Sequence, residues 1–367
     1  MKDRDIFALA ALQCVRGLNA AALLPLLRTL GGARRVWEAP AAELAAAGME
    51  RRTLAALERY RAKHAQEPER IAALCAEQAV SLVVLGEAEY PKSLAAIYQP
   101  PLVLYVRGNL PPDVECLGIV GARRFSRYGE GIAEKLGEEL VASGFCVVSG
   151  AARGIDSAAH RGALRTGRTV AVLGCGVDIA YPAENRRLLA DIIATGGAIV
   201  SEYAPGTPPL PAFFPARNRI ISGLSKGIIV VEAAERSGSL ITAQLALDEG
   251  RDVFAVPGSI YSPTSQGCHR LIQQGAKLVT SVRDVLEEYG REPAPRAPRK
   301  RKDADLSGEE RALYQVLSYE HPLSIDEIIT SLKDGDPARL SLLLLGLELK
   351  GLVIENESHG YLRAERE

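Results

Sequence analysis

A chain of 367 residues with 47% hydrophobic side chains exceeds one ordinary core and predicts two or three globular domains. Its 44 basic and 45 acidic side chains cancel to a formal charge of −1, which excludes whole-molecule attraction to nucleic acid or membrane, so any polyanion site has to be a local cluster. No apolar run is long enough to span a bilayer, the acid-bearing start MKDRDIFALAALQC argues against a secretory signal, and six scattered cysteines form neither a disulfide framework nor a zinc pattern; together these predict a cytoplasmic protein.

Residues 1–70 are rich in Ala and Leu at helical spacing, broken at Arg16-Gly17-Leu18-Asn19, Gly31-Gly32 and Gly48, which predicts a small all-helical domain. Val15-Arg16-Gly17-Leu18 has the form of a helix-hairpin-helix turn, whose backbone N–H groups can hold a phosphate; a plain helical connection has the same form. From 71 to 290 the pattern changes. SLVVLG, PLVLYVRG, CLGIVG, FCVVSG, TVAVLGCG, AIVSEY, GIIVVEA and DVFAVPG are short apolar runs, and helical stretches (129–143, 157–166, 185–195, 240–249) separate many of them. Strands that read apolar throughout and alternate with helices predict a parallel sheet covered on both faces, a doubly wound Rossmann-like α/β domain.

Residues 291–305, REPAPRAPRKRKDAD, predict an extended linker in which Arg296, Arg299, Lys300, Arg301 and Lys302 act as a soluble tether or add nonspecific phosphate contacts. Three helical segments and a hairpin follow in 306–367, the order of a winged-helix domain. That segment carries six basic against twelve acidic side chains, a formal charge of −6, and SLLLLGLELKG offers leucine where a DNA-reading helix needs donors. It reads as a protein-contact or structural module.

Ligands of a parallel sheet bind outside the carboxyl ends of its strands, beside helix N-termini. The Gly-, Ser- and Arg-bearing loops fall at those ends. In 121–129, Gly121 permits close backbone approach, Arg123 offers a bidentate fork, and Ser126 can cap the next helix or meet a phosphate. The 213–225 stretch, FFPARNRIISGLS, sets Arg217, Asn218 and Arg219 between an aromatic-proline turn and an apolar run. No GxGxxG and no GxxxxGK[ST] is present, so neither a dinucleotide nor a P-loop nucleotide site is expected, and no cofactor is implied. Asp156 and His160, four apart, could suggest an acid-base or metal pair, but a helix cap accounts for Asp156 and no third ligand is near.

The ordered motifs GARRFSRYG, SGAARGID, AVLGCGVDIAYPAENRRL, SEYAPGTPPLPAFFPARNRIISGLS, VVEAAERSGSLITAQLALDEGRDVFAVPG and GCHRLIQQGA closely resemble the DNA-processing protein A family (DprA, also called Smf), over 118–276. The flanks resemble that family's sterile-alpha-motif-like and winged-helix domains. The resemblance implies a non-enzymatic, cytoplasmic protein that binds and protects single-stranded DNA in natural transformation, helps load RecA recombinase onto it, and forms homodimers through the Rossmann-like domain. By motif, Arg123, Arg186, Arg217 and Arg219 are implied to line the DNA pocket, with Gly121, Ser149, Gly150, Asn218 and Ser239 supplying backbone or hydroxyl contacts. A single-strand groove also needs stacking surfaces, and Phe125, Tyr128, Phe213 and Phe214 stand beside these arginines; Phe213 and Phe214 read equally as core anchors. Two rival readings are a nucleoside-monophosphate phosphoribohydrolase on the same sheet, whose PGGxGTxxE motif is missing at 237–244, and a RecA-partner scaffold that does not itself hold DNA.

Overall fold

The structure, a computed structural model, describes residues 3–110, 113, 115–294, 306–319, 321–332, 336–356 and 360–364. The basic cluster Arg296 to Lys302 lies outside the described residues. The chain divides into two compact units, Met1–Ala294 and Pro295–Glu367.

The first unit is built on a nine-stranded sheet of β1 Ser81–Val84, β2 Val103–Gly108, β3 Cys116–Val120, β4 Cys146–Ser149, β5 Thr169–Val172, β6 Ala198–Ser201, β7 Gly227–Val230, β8 Asp252–Ala255 and β9 Lys277–Leu278, in the order β1-β2-β6-β5-β4-β3-β7-β8-β9. Strands β3 to β9 run parallel, as their unbroken apolar pattern predicts, and β3 to β7 are buried at every position. β2 departs from the expected parallel arrangement: it is antiparallel to both β1 and β6. Residues 85–102, which include the short helix Lys92–Ala95, join β1 to β2 and turn the chain back on itself instead of carrying it across a face of the sheet.

Alternation along each strand divides the core. Leu117, Ile119, Val147 and Ile229 face the helices Arg127–Ala142, Ile155–Leu164 and Val282–Glu288, while Val120, Val148, Ile228 and Val230 face Phe213–Leu224, Gly238–Asp248 and Gln266–Gln273. The N-terminal helices bury Leu12, Leu23, Leu44, Leu57 and Ile71 in a core continuous with Val103, Tyr105 and Ile199 of the sheet.

Two of the sheet-covering helices are in unusually close contact. A Cβ on Gly137 would stand 2.4 Å from the Ala159 carbonyl oxygen, and one on Gly162 would stand 1.9 Å from that of Glu134, so only glycine permits this crossing of Arg127–Ala142 over Ile155–Leu164. Arg161 then bonds Glu130 (2.6 Å) and Glu134 (2.8 Å), and Arg165 bonds Glu134 (2.6 Å), tying the pair along its length.

His160 lies under this pair, fully buried, its Nδ1 2.8 Å from the Thr169 hydroxyl. Burial, with the Arg217 charge acting in the same direction, lowers its pKa from 6.5 to about 3, so the folded chain holds it neutral while the unfolded chain protonates it. Stability attributable to His160 is therefore complete above about pH 6.5 and falls as pH drops towards 3, by up to about 1.4 kcal/mol per pH unit. Denaturant titrations between pH 7 and 4 should show a shallower pH slope for His160→Gln than for wild type. Equal slopes would refute the assignment.

The second unit packs helices Gly308–Val316, Ile325–Leu332 and Pro337–Leu349 around Leu313, Ile328, Leu344 and Leu347, with a hairpin of β10 Val353–Glu355 and β11 Tyr361–Arg363. Leu323 bridges to Tyr361, completing the wing. Leu342, Leu345 and Leu349 project from the third helix into solvent. Among the described residues no helix is long and apolar enough to cross a membrane.

Candidate nucleic-acid interface

The chain leaves β3 in one direction, through β4, β5 and β6, and then crosses back to lay β7 on the other side of β3. β3 and β7 therefore flank the topological switch point, where an open α/β sheet forms its ligand crevice. The loops that follow β3, β4, β5, β6 and β7 gather along this edge and carry the residues expected from the sequence.

Gly121 leaves β3 so close to the next loop that a Cβ would lie 2.7 Å from Ile155. Beyond it, Arg123, Arg124 and Arg127 are exposed, and Ser126 caps the helix by accepting from Gly129 N at 3.0 Å. The Ser126 hydroxyl also donates to Glu232 (2.6 Å), as does its backbone N–H (3.0 Å), so this hydroxyl is engaged within the protein.

Arg217 departs from the expected pocket lining. The segment read as a turn is the first turn of the helix Phe213–Leu224, and Arg217 shares the buried stripe of Ile220, Ile221 and Leu224. Only 5% exposed, it donates from Nη1 to the Gly150 carbonyl at 2.6 Å and to the Val172 carbonyl, joining the ends of β4 and β5 to the helix after β6. Gly150 makes this possible, since a Cβ there would lie 2.5 Å from the guanidinium. The charge faces Asp156, whose carboxyl is pushed up by burial against the pull of Arg217 and of backbone N–H groups. Burial likewise lowers the Arg217 pKa, with Asp156 opposing.

Arg219, two residues on, pairs with the largely buried Glu202, whose carboxyl burial raises and Arg219 pulls back. The Ser149 hydroxyl is fully buried and donates to Ile119 O at 2.6 Å, because a buried donor must find a partner. Ser239 Oγ sits 2.7 Å from Ser237 Oγ at the start of the helix Gly238–Asp248, and Asn218 reaches the Gly238 carbonyl at 3.4 Å. These side chains shape the loops from within.

Arg123 and Arg186 remain at the surface. Arg123 lies over the Phe214 ring, 5.6 Å from its centroid, and Tyr181 packs on the same ring at 5.4 Å. Phe213 stacks on Tyr203 at 4.0 Å. Phe213 and Phe214 are thus a half-buried inner layer, while Phe125, Tyr128 and Tyr181 are each about two-fifths exposed. Arg153 bonds Glu184 at 2.9 Å, linking the loop after β4 to the one bearing Arg186 and Arg187. Tyr181 escaped the sequence reading because no arginine adjoins it; its place just before AENRR was the available signal. Among the described residues no cluster of three or more His, Cys, Asp and Glu could hold a metal.

Known proteins share this arrangement. The family model for DNA recombination-mediator protein A matches residues 81–290, more than half of the chain. The chain belongs to that family. A model of the DprA winged helix domain matches 295–355. Family relatives include DNA processing protein DprA of Streptococcus pneumoniae, 52% identical over 54% of this chain and 71% of its own, and Protein Smf of Escherichia coli, 41% identical over 76% of this chain and 75% of its own. Among solved structures, DNA processing protein A of Streptococcus pneumoniae superposes with a TM-score of 0.67 at 38% identity, covering 78% of this chain and 98% of that one. The Helicobacter pylori family protein, solved to describe its single-stranded DNA binding mode, superposes with a TM-score of 0.52 at 29% identity, over 57% of this chain and 95% of that one.

Proposed function

We propose that this chain binds single-stranded DNA along the loop edge of its sheet and passes it, in natural transformation or recombination, to RecA recombinase. The observation that carries the reading is the pairing on one edge of exposed arginines (Arg123, Arg124, Arg127, Arg186, Arg187) with the half-open rings of Phe125, Tyr128 and Tyr181. Guanidinium groups meet phosphates while rings offer sequence-tolerant stacking for unpaired bases. Gly121, Ser126, Ser149, Gly150, Arg217, Asn218, Arg219 and Ser239 act in this reading by setting loop shape and presenting backbone groups. The single-strand binding described for the Helicobacter pylori relative supports it.

Titration of fluorescent oligo-dT and a matching duplex at two salt concentrations tests the proposal. Wild type should prefer the single strand, and Arg123→Ala should bind about tenfold more weakly with a shallower salt slope. No single-strand binding by wild type would end this reading. RecA delivery is checked by RecA filament growth on DNA coated with single-strand-binding protein, and the proposed homodimer by light scattering. A hydrolase is disfavoured because Ser149 and Glu232 are engaged internally; base release from a nucleoside monophosphate would restore it.

A further inference from the structure

The crevice between β3 and β7, where this class of sheet ordinarily receives a phosphate, is filled by a carboxylate of the chain itself. Glu232, at the end of β7 and 3% exposed, accepts the Ser126 N–H at 3.0 Å through Oε2 and the Ser126 hydroxyl at 2.6 Å through Oε1. Thr264, from the loop after β8, adds a third donor to Oε1 at 3.2 Å. The helix Arg127–Ala142 begins against this group, and Gly129 allows the approach: a Cβ there would lie 2.4 Å from Glu232 Cδ. The donors and the positive helix end that would hold an incoming phosphate are already satisfied by a resident anion, which would also repel a second one.

We propose that Glu232 is a specificity-determining residue that bars phosphate monoesters from the switch-point crevice. Free nucleotides then find no pocket, and a strand is held only across the exposed loops above it. The second statement rests on the single-strand reading; the occupancy of the crevice does not.

Thermal unfolding of the full chain at constant ionic strength, with inorganic phosphate or dTMP at up to about 10 mM, tests this through ligand-linked stabilisation. Wild type should show no saturable rise in Tm. Glu232→Ala should melt lower and recover by a few degrees, saturably, with either ligand, and dTMP should then displace oligo-dT from the variant but not from wild type. A saturable dTMP response in wild type overturns the proposal by itself, as does a folded Glu232→Ala that ignores both ligands. Should the alanine variant not fold, Glu232→Gln, which removes only the charge, should give a smaller response of the same sign, and its absence likewise overturns the proposal. If wild type binds no oligo-dT, the strand reading fails while the phosphate result still decides the role of Glu232.

Discussion

Arg217→Ala is expected to lower the stability of the sheet unit by about 3 kcal/mol, because removing one partner leaves a buried carboxylate uncompensated and carbonyl groups without donors. The carbonyls are those of Gly150 and Val172, and the carboxylate is Asp156. For a unit of this size the corresponding fall in Tm is roughly 5 °C. Calorimetry or circular dichroism melting decides the matter. A variant melting within about 2 °C of wild type would show that Arg217 is not the strut joining β4 and β5. Arg217→Met, which keeps much of the side-chain volume, should recover little, because the loss is of hydrogen bonds and charge rather than packing.

Arg123→Ala/Arg186→Ala is the opposite case. Both side chains are exposed, so Tm should stay within about a degree of wild type, since surface changes away from special features cost little. Single-strand affinity at low salt should fall about a hundredfold. The slope of log affinity against log salt should fall by about 1.4, the release expected for two phosphate contacts on a single strand. Fluorescence anisotropy over a salt series measures both. Unchanged affinity would remove these arginines from the interface, and lost affinity with an unchanged slope would mean that they act by shaping the site.

The contrast shows what was legible in the sequence. The alternation of apolar strands with helices identified the sheet, and the Gly- and Ser-bearing loops pointed to the edge at the carboxyl ends of its strands, because both are local patterns. The expectation that Arg217 lines a pocket came from the family motif, and it went with reading the aromatic-proline stretch before Arg217 as a turn. Pro215 encouraged that view, although proline is tolerated in the first turn of a helix. The spacing of Arg217, Ile220, Ile221 and Leu224 already had the i, i+3, i+4, i+7 form of a buried helix stripe. What no local pattern could reveal was Glu232 meeting Ser126 across 106 positions, or Tyr181 against Phe214, since both contacts exist only once the chain has crossed back over the sheet.

On the proposed single-strand reading, the glycine-only crossing of Arg127–Ala142 over Ile155–Leu164 bears on how a single strand would be told from a duplex. The loop carrying Arg123 leads into the first of these helices and the loop carrying Arg153 into the second, so both loops are mounted on one stiff slab. Loops held in this way would lose their ordering entropy when the chain folds and not again at association. Adaptation is then left to the nucleic acid. A single strand has the torsional freedom to fit a fixed row of charges and rings, whereas a stacked, paired duplex would first have to be deformed. On that reading, discrimination between the two needs no contact that reads a base, only a protein more rigid than the polymer it would hold.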